Sequence, residues 1–265
     1  MSGRCVHALR SWQRLAPRIH SGRLLVLLDY DGTLVSIAPT PARARPTART
    51  RALLRRLSRL RQTRVGIVSG RALSGVRRIV GVGGLVYVGN HGLEISGPGV
   101  RFVHPAARRT QPLMGEIAQA MHTALRGIRG AMVESKQLTL SIHWRRVRAG
   151  QAGRFHRAVR RCLAPWVQRG AVRLTTGKRV IEVRPPVAWN KGNAAEYLMR
   201  MLRMPAGRVL YMGDDRTDED AFRVVNRRGG VAVFVGREPR TTAARWWVAS
   251  PRELRVLLTR LAGAR

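Results

Sequence analysis

Lysine, acidic side chains, aromatics and cysteine are all scarce in this chain. Its 265 residues include 50 Lys and Arg, yet only Lys136, Lys178 and Lys191 are lysine. Against these bases stand 14 Asp and Glu, which leaves a net charge of +36. Cys5 and Cys162 give neither metal-ligand spacing nor a disulfide framework, so a reducing cytoplasm is the expected compartment. No apolar run approaches the roughly 20 residues of a membrane-spanning helix, and no membrane partner is expected. The stretch 1–23 is basic and acid-free like a transit peptide. It lacks an apolar signal core and its arginine content is close to that of the rest, so it reads as a mature leading segment. The arginines form no basic tail, and aromatics, at 5% of residues, do not interleave with them. The charge therefore reads as a solvated surface rather than a nucleic-acid site. Hydrophobic residues make up 45% of the chain, enough for a globular protein with a sizeable core.

What acid there is has been concentrated. Every aspartate lies in LLVLLDYDGTL, with Asp29 and Asp31, or in VLYMGDDRTDED, with Asp214, Asp215, Asp218 and Asp220. Each cluster follows a short apolar run, the pattern of a buried strand ending in an acidic loop. Carboxylates gathered in this way repel one another unless a cation or a shared proton relieves them. Lysine kept at three positions in an arginine-rich chain points to places where a compact ammonium is wanted.

Apolar runs at Leu24–Leu28, Val65–Val68, Leu85–Val88, Val209–Met212 and Val231–Val235 alternate with stretches of helical composition such as Thr47–Leu60 and Ala221–Val225. That alternation predicts an α/β fold with a parallel sheet, whose ligands bind beyond the carboxyl ends of the strands. Asp29, Ser69 and Asp214 stand at or just past such ends. The middle of the chain reads as a helix followed by a hairpin, given twice, in an insert of about 80 residues of the kind that caps a core.

At a strand end, the Asp29 carboxylate can attack phosphorus, and Asp31 can protonate a leaving alkoxide and then activate water. A lone D-x-D is equally a solvated turn. Ser69, in SGR, offers a hydroxyl and backbone N–H groups to phosphate oxygens, although such a serine also caps helices. Lys191, in WNKG, can hold a phosphate as a point charge, or it is a surface lysine. The GDDRTDED loop suits Mg²⁺, which takes a few carboxylates together with substrate oxygens.

The ordered set DYDGTL, SGR, WNKG and GDDRTDEDAF resembles the haloacid dehalogenase superfamily. With GNHGLE at 89–94, VESKQLTLSIHWR at 133–145 and GKRVIEVRPPVAWNKG at 177–192, the chain resembles, over nearly all its length, the trehalose-6-phosphate phosphatases. The resemblance implies a Rossmann-like parallel-sheet core over residues 1–104 and 184–265, with an inserted α/β cap at 105–183. It implies hydrolysis of trehalose 6-phosphate through an aspartyl-phosphate, with Asp29, Asp31, Ser69 and Lys191 catalytic. Mg²⁺ would be held by Asp29, the Asp31 carbonyl and Asp214, supported by Asp215 or Asp218. Arg71, His91 and Glu94 from the core, and Glu134, Lys136, Arg145 and Glu182 from the cap, would meet the substrate. A functional link to a trehalose-phosphate synthase also follows. Two departures stand out: Ser135 where the family often has an acid, and Asn193 where a second lysine is common. The alternatives are a phosphatase for another sugar phosphate, such as sucrose phosphate, and a nucleic-acid-binding protein on the same fold.

Overall fold

The computed structural model describes residues 5–263 apart from 21, 39, 178 and 238–240. Lys178, one of the three singled-out lysines, lies outside the described residues. The chain divides into two compact units, one holding residues up to 102 and from 189 onward, the other residues 103–188. The return crossing falls five residues later than the expected start of the core at residue 184. The stretch 184–188, which includes Pro185 and Pro186, stays with the second unit.

Along the chain the strands are β1 (Val6–His7), β2 (Leu24–Asp29), β3 (Thr63–Val68), β4 (Val86–Gly89), β5 (Glu94–Gly97) and β6 (Val100–Val103). The second unit holds β7 (Met132–Ser135), β8 (Leu140–His143), β9 (Arg173–Gly177) and β10 (Val180–Arg184). The first unit resumes with β11 (Val209–Gly213), β12 (Val231–Val235) and β13 (Trp246–Val248). The helices are α1 (Trp12–His20), α2 (Ala48–Arg59), α3 (Leu73–Val80), α4 (Pro105–Arg109), α5 (Gln111–Ala124), α6 (Ala152–Gln168), α7 (Lys191–Met201), α8 (Glu219–Arg227) and α9 (Pro251–Gly263).

Among the described residues the large sheet runs β1-β13-β12-β11-β2-β3-β4-β5-β6. Every pairing from β1 through β4 is parallel, and β5 joins antiparallel. All six residues of β2 are buried, as expected of a central strand covered on both faces. Its alternate side chains feed two cores. Leu24, Val26 and Leu28 pack with residues of α1, α2, α3 and α9, while Leu25 and Leu27 pack with residues of α7 and α8. The helices follow local rules. Thr47 caps α2 by accepting the Thr50 N–H, and arginines occupy the solvent side of Leu54 and Leu57. The leading segment contributes β1 at the sheet edge and α1, whose Leu15 and Ile19 are buried, so it belongs to the core.

Strand order reverses between β2 and β11: β3 and β4 extend the sheet one way, β12 and β13 the other. The loops leaving these two strands therefore part from each other and leave a crevice at the carboxyl edge. Both acidic clusters sit there.

The second unit has a four-stranded antiparallel sheet, β7-β8-β10-β9. Leu140, Ile142, Ile181 and Val183 line one face and pack with Met114, Ile117, Met121, Phe155, Val159 and Leu163 from α5 and α6. The alternate residues, Glu134, Ser141, His143 and Glu182, project from the opposite face.

Because Leu28 is wholly buried in the central strand, Leu28→Ala should lower the unfolding free energy by about 2–5 kcal/mol in urea denaturation. Arg59→Ala, on the exposed side of α2, should change it by less than about 0.5 kcal/mol.

Candidate active site

The crevice is built around one ammonium. Lys191 is the first residue of α7 and is 4% exposed. Asn190 and Asn193 form a capping box on either side of it, each side chain accepting from the other's backbone N–H, and this fixes where the helix starts. Lys191 Nζ donates to Asp29 Oδ1 at 2.7 Å and to Asp218 Oδ1 at 2.8 Å. Burial pulls the ammonium's pKa down, but the charges of Asp218 and Asp29 outweigh it and hold the pKa well above the usual lysine range. Asp29, the last residue of β2, is pushed well up by burial and by Asp218, against the pull of Lys191.

Asp214 follows β11 and accepts from Thr33 Oγ1 at 2.9 Å. Gly32, at φ 95°, lets the turn after β2 pass so close that a Cβ there would collide with the Asp214 carboxylate. Burial, then the charge of Asp218, pushes the Asp214 carboxyl up to about 7. Asp29, Asp214 and Asp218 each offer an oxygen within 4.8 Å of the others. Asp215 is exposed and turns inward on its own loop, accepting from the Thr217 N–H and hydroxyl at 2.8 and 2.6 Å.

Asp31 has a different partner. The register of β2 against β3 pairs Asp29 with Val68, so the SGR turn lies beside the DYDGT turn. Arg71 grips both Asp31 oxygens, Nε to Oδ2 at 2.7 Å and Nη2 to Oδ1 at 2.6 Å. Its guanidinium lies over the Tyr30 ring, 5.0 Å from the centroid. The Ser69 hydroxyl, almost wholly buried, accepts the Arg71 N–H at 3.1 Å.

The GNHGLE segment locks these turns together. Asn90 and His91 both hold positive φ, 48° and 56°, outside glycine's usual monopoly and therefore under strain. The His91 N–H bonds the Ser69 carbonyl, and the Asn90 N–H bonds the Arg71 carbonyl. The His91 ring covers Gly70 so closely that a Cβ there would strike it. The Gly92 carbonyl accepts Trp189 Nε1 at 2.8 Å, which ties the loop to the approach to α7. Glu94 is buried, and its Oε1 accepts from the Leu73 N–H and the Asn90 amide, so it braces the loop from beneath.

In the second unit, Glu134, Ser141 and Glu182 stand side by side in adjacent strands. Glu182 Oε1 accepts from Lys136 Nζ at 3.2 Å and Ser141 Oγ at 3.1 Å, while Glu134 pairs with His143 Nε2 at 2.8 Å. Arg145 lies exposed in the turn beyond β8. His143, Ser141, Thr33 and Tyr211 are polar members of these clusters that the motif reading passed over. Of these, a lone phenol in the apolar run VLYMG is the one signal the sequence carried.

The trehalose-phosphatase family model matches residues 27–251, most of the chain. The chain belongs to the trehalose-phosphatase family. It is accordingly a phosphatase. It is 34% identical to the trehalose 6-phosphate phosphatase RA3 of Zea mays over 273 residues, covering 96% of this chain and 74% of that protein. The C-terminal domain of the C. albicans trehalose-6-phosphate phosphatase superposes with a TM-score of 0.78 at 27% identity, covering 99% of each chain. A haloacid dehalogenase-like hydrolase from Bacteroides thetaiotaomicron shares the fold at TM-score 0.64 and 17% identity, covering 91% of this chain and all of that one.

For this trehalose-phosphatase family member, the donor set fits a hard divalent cation. Three clustered carboxylates face a single ammonium, so charge is left over that either a cation or a proton must balance. Asp29 and Asp214 each spend one oxygen on a protein donor and keep the other for the crevice. Asp218 lies equally close, but all four of its acceptor sites meet donors: Lys191 and Tyr211 at Oδ1, the Asp214 and Asp215 N–H groups at Oδ2.

Without metal, the raised Asp214 pKa favours the folded state at low pH, and that contribution is lost as pH rises from about 4 through about 7. A cation must displace the same proton. Addition of a divalent cation should therefore raise Tm more at about pH 8 than at about pH 5.5, and Asp214→Asn should remove most of the difference. An equal Tm gain at both pH values would count against Asp214 as a ligand.

Proposed function

We propose that the chain hydrolyses trehalose 6-phosphate to trehalose and inorganic phosphate, with Asp29 as nucleophile and Mg²⁺ as the cation. The observation that carries this reading is the buried Asp29 carboxylate at a strand end, hydrogen-bonded to Lys191 and within reach of Asp214. Family membership supports the substrate. We assign the reaction to the cytoplasm, a reading supported by only two cysteines in 265 residues. We link it to a trehalose-phosphate synthase that supplies the ester.

In the first step an Asp29 oxygen bonds to phosphorus while the bond from phosphorus to the sugar oxygen breaks. Asp31 passes its proton to that oxygen, and trehalose leaves. In the second step Asp31 takes a proton from water as the water oxygen bonds to phosphorus. The bond from Asp29 to phosphorus then breaks, giving phosphate and the free carboxylate. To carry a proton, Asp31 must be released on at least one side by Arg71, which now grips both its oxygens. Phosphoryl oxygens are the natural new partners for that guanidinium. Mg²⁺, held by Asp29, Asp214 and the Asp31 carbonyl, would neutralise charge on the phosphoryl group. Lys191 and the Ser69 hydroxyl serve the same oxygens from the protein side.

The polar face of the second unit supports recognition of the sugar. Glu134, Lys136 and Glu182 form a charged, hydrogen-bonding row on a rigid sheet, the kind of surface that meets hydroxyl groups.

Asp29→Asn should fold but release no phosphate from trehalose 6-phosphate, because an amide cannot form the acyl phosphate. Appreciable turnover by the pure variant would sink the nucleophile assignment.

Across a panel of esters, Glu134→Ala should lower kcat/KM for trehalose 6-phosphate by about tenfold to a hundredfold and for an aryl phosphate by less than about twofold. Glu134 is a cleaner choice than Glu182, which also accepts from the buried ammonium of Lys136. Equal losses on both esters would remove the sugar-reading role.

A further inference from the structure

Tyr211 occupies the middle of β11 and is wholly buried, flanked by Leu27 of β2 and Ala232 of β12. Its hydroxyl donates to Asp218 Oδ1 at 2.8 Å, the same oxygen that accepts Lys191 Nζ at 2.8 Å. Phe222 of α8 stands edge-on to the phenol ring, with centroids 5.8 Å apart. The carboxylate is also enclosed from the strand side, since a Cβ on Gly213 would collide with Asp218. Asp218 thus has a fixed position and a full set of donors, and one of those donors is a neutral phenol.

Neutrality matters in this position. Lys191 is shared between two carboxylates, and the share each receives depends on how well the other is satisfied by different donors. A phenol on Asp218 lowers that carboxylate's demand on the ammonium without adding charge. Remove it, and Asp218 Oδ1 keeps Lys191 alone and draws it away from Asp29.

We propose that Tyr211 is a positioning residue for the phosphatase reaction, acting through Asp218 to hold the Lys191 ammonium against Asp29 and the phosphoryl group. The proposal rests on the role given above to Lys191.

Tyr211→Phe deletes one oxygen and keeps the ring and its contact with Phe222, so the variant should fold and unfold cooperatively. Its kcat for trehalose 6-phosphate should fall about tenfold, while KM moves by less than about twofold, because the lost interaction serves the reacting group rather than the sugar. In an Asp218→Asn background the same substitution should cost less than about twofold, since its effect passes through the carboxylate now removed. Wild-type kcat in Tyr211→Phe would overturn the inference. So would a tenfold loss that persists in the Asp218→Asn background, or a loss confined to KM. Lys191→Met separates the two layers. If it retains turnover, the role of Lys191 itself falls. If it is inactive while Tyr211→Phe is unimpaired, only the positioning role falls.

Discussion

The ammonium of Lys191 is outnumbered by the carboxylates around it, and much of the first unit's loop architecture exists to keep it where it is. Helix α7 can deliver it only if the helix begins at residue 191, which the mutual cap of Asn190 and Asn193 secures. The helix start can approach α8 only because residue 192 is glycine, since a Cβ there would press on the Asp220 carbonyl. Trp189, just upstream, is pinned to the Gly92 carbonyl. Three sequence-distant loops are thereby indexed to one another through backbone and capping contacts. Burying a charge in such a pocket is costly unless its partners are held in place, and these contacts hold them.

Much of this was legible in the sequence. The strands that carry the acids show as uninterrupted apolar runs, and a parallel sheet puts such strand ends on one edge. Acids following two of those runs could be assigned to one crevice without any pairing information. Other contacts were hidden because they depend on register. Arg71 and Asp31 are 40 positions apart, and nothing in either segment says that β3 lies beside β2 with Asp29 opposite Val68. The same holds for Glu182 with Lys136 and Ser141, which meet only once β10 is seated on β8. Asn193, which in sequence is only a departure from its family's pattern, has a clear task as half of a helix cap. Tyr211 reads as core because its ring is core, and only its oxygen is not.

The charge of the chain has two scales. Averaged over the surface it is strongly positive, which favours the approach of a phosphate ester over distances comparable to the Debye length, about 8–10 Å. Within the crevice the balance is reversed, because Asp29, Asp214 and Asp218 gather around one lysine. A dianionic ester attracted by the arginines therefore meets a locally negative floor. A cation held as proposed above would relieve the mismatch, and Arg71 already stands nearby, engaged with Asp31.

The central position of β2 also has a consequence for the order in which the molecule is made. Its partner on one side, β3, and the next strand out, β4, follow within some sixty residues, but its partner on the other, β11, is encoded after the whole second unit. A ribosome releasing this chain exposes a half-sheet whose inner edge, rich in leucine and valine, stays open until residues 209–213 emerge. Open apolar edges invite pairing with other chains, and closures that span so much sequence are slow. Until that closure Asp29 has neither Asp214 beside it nor Lys191 against it, so the site cannot assemble before most of the chain has been made.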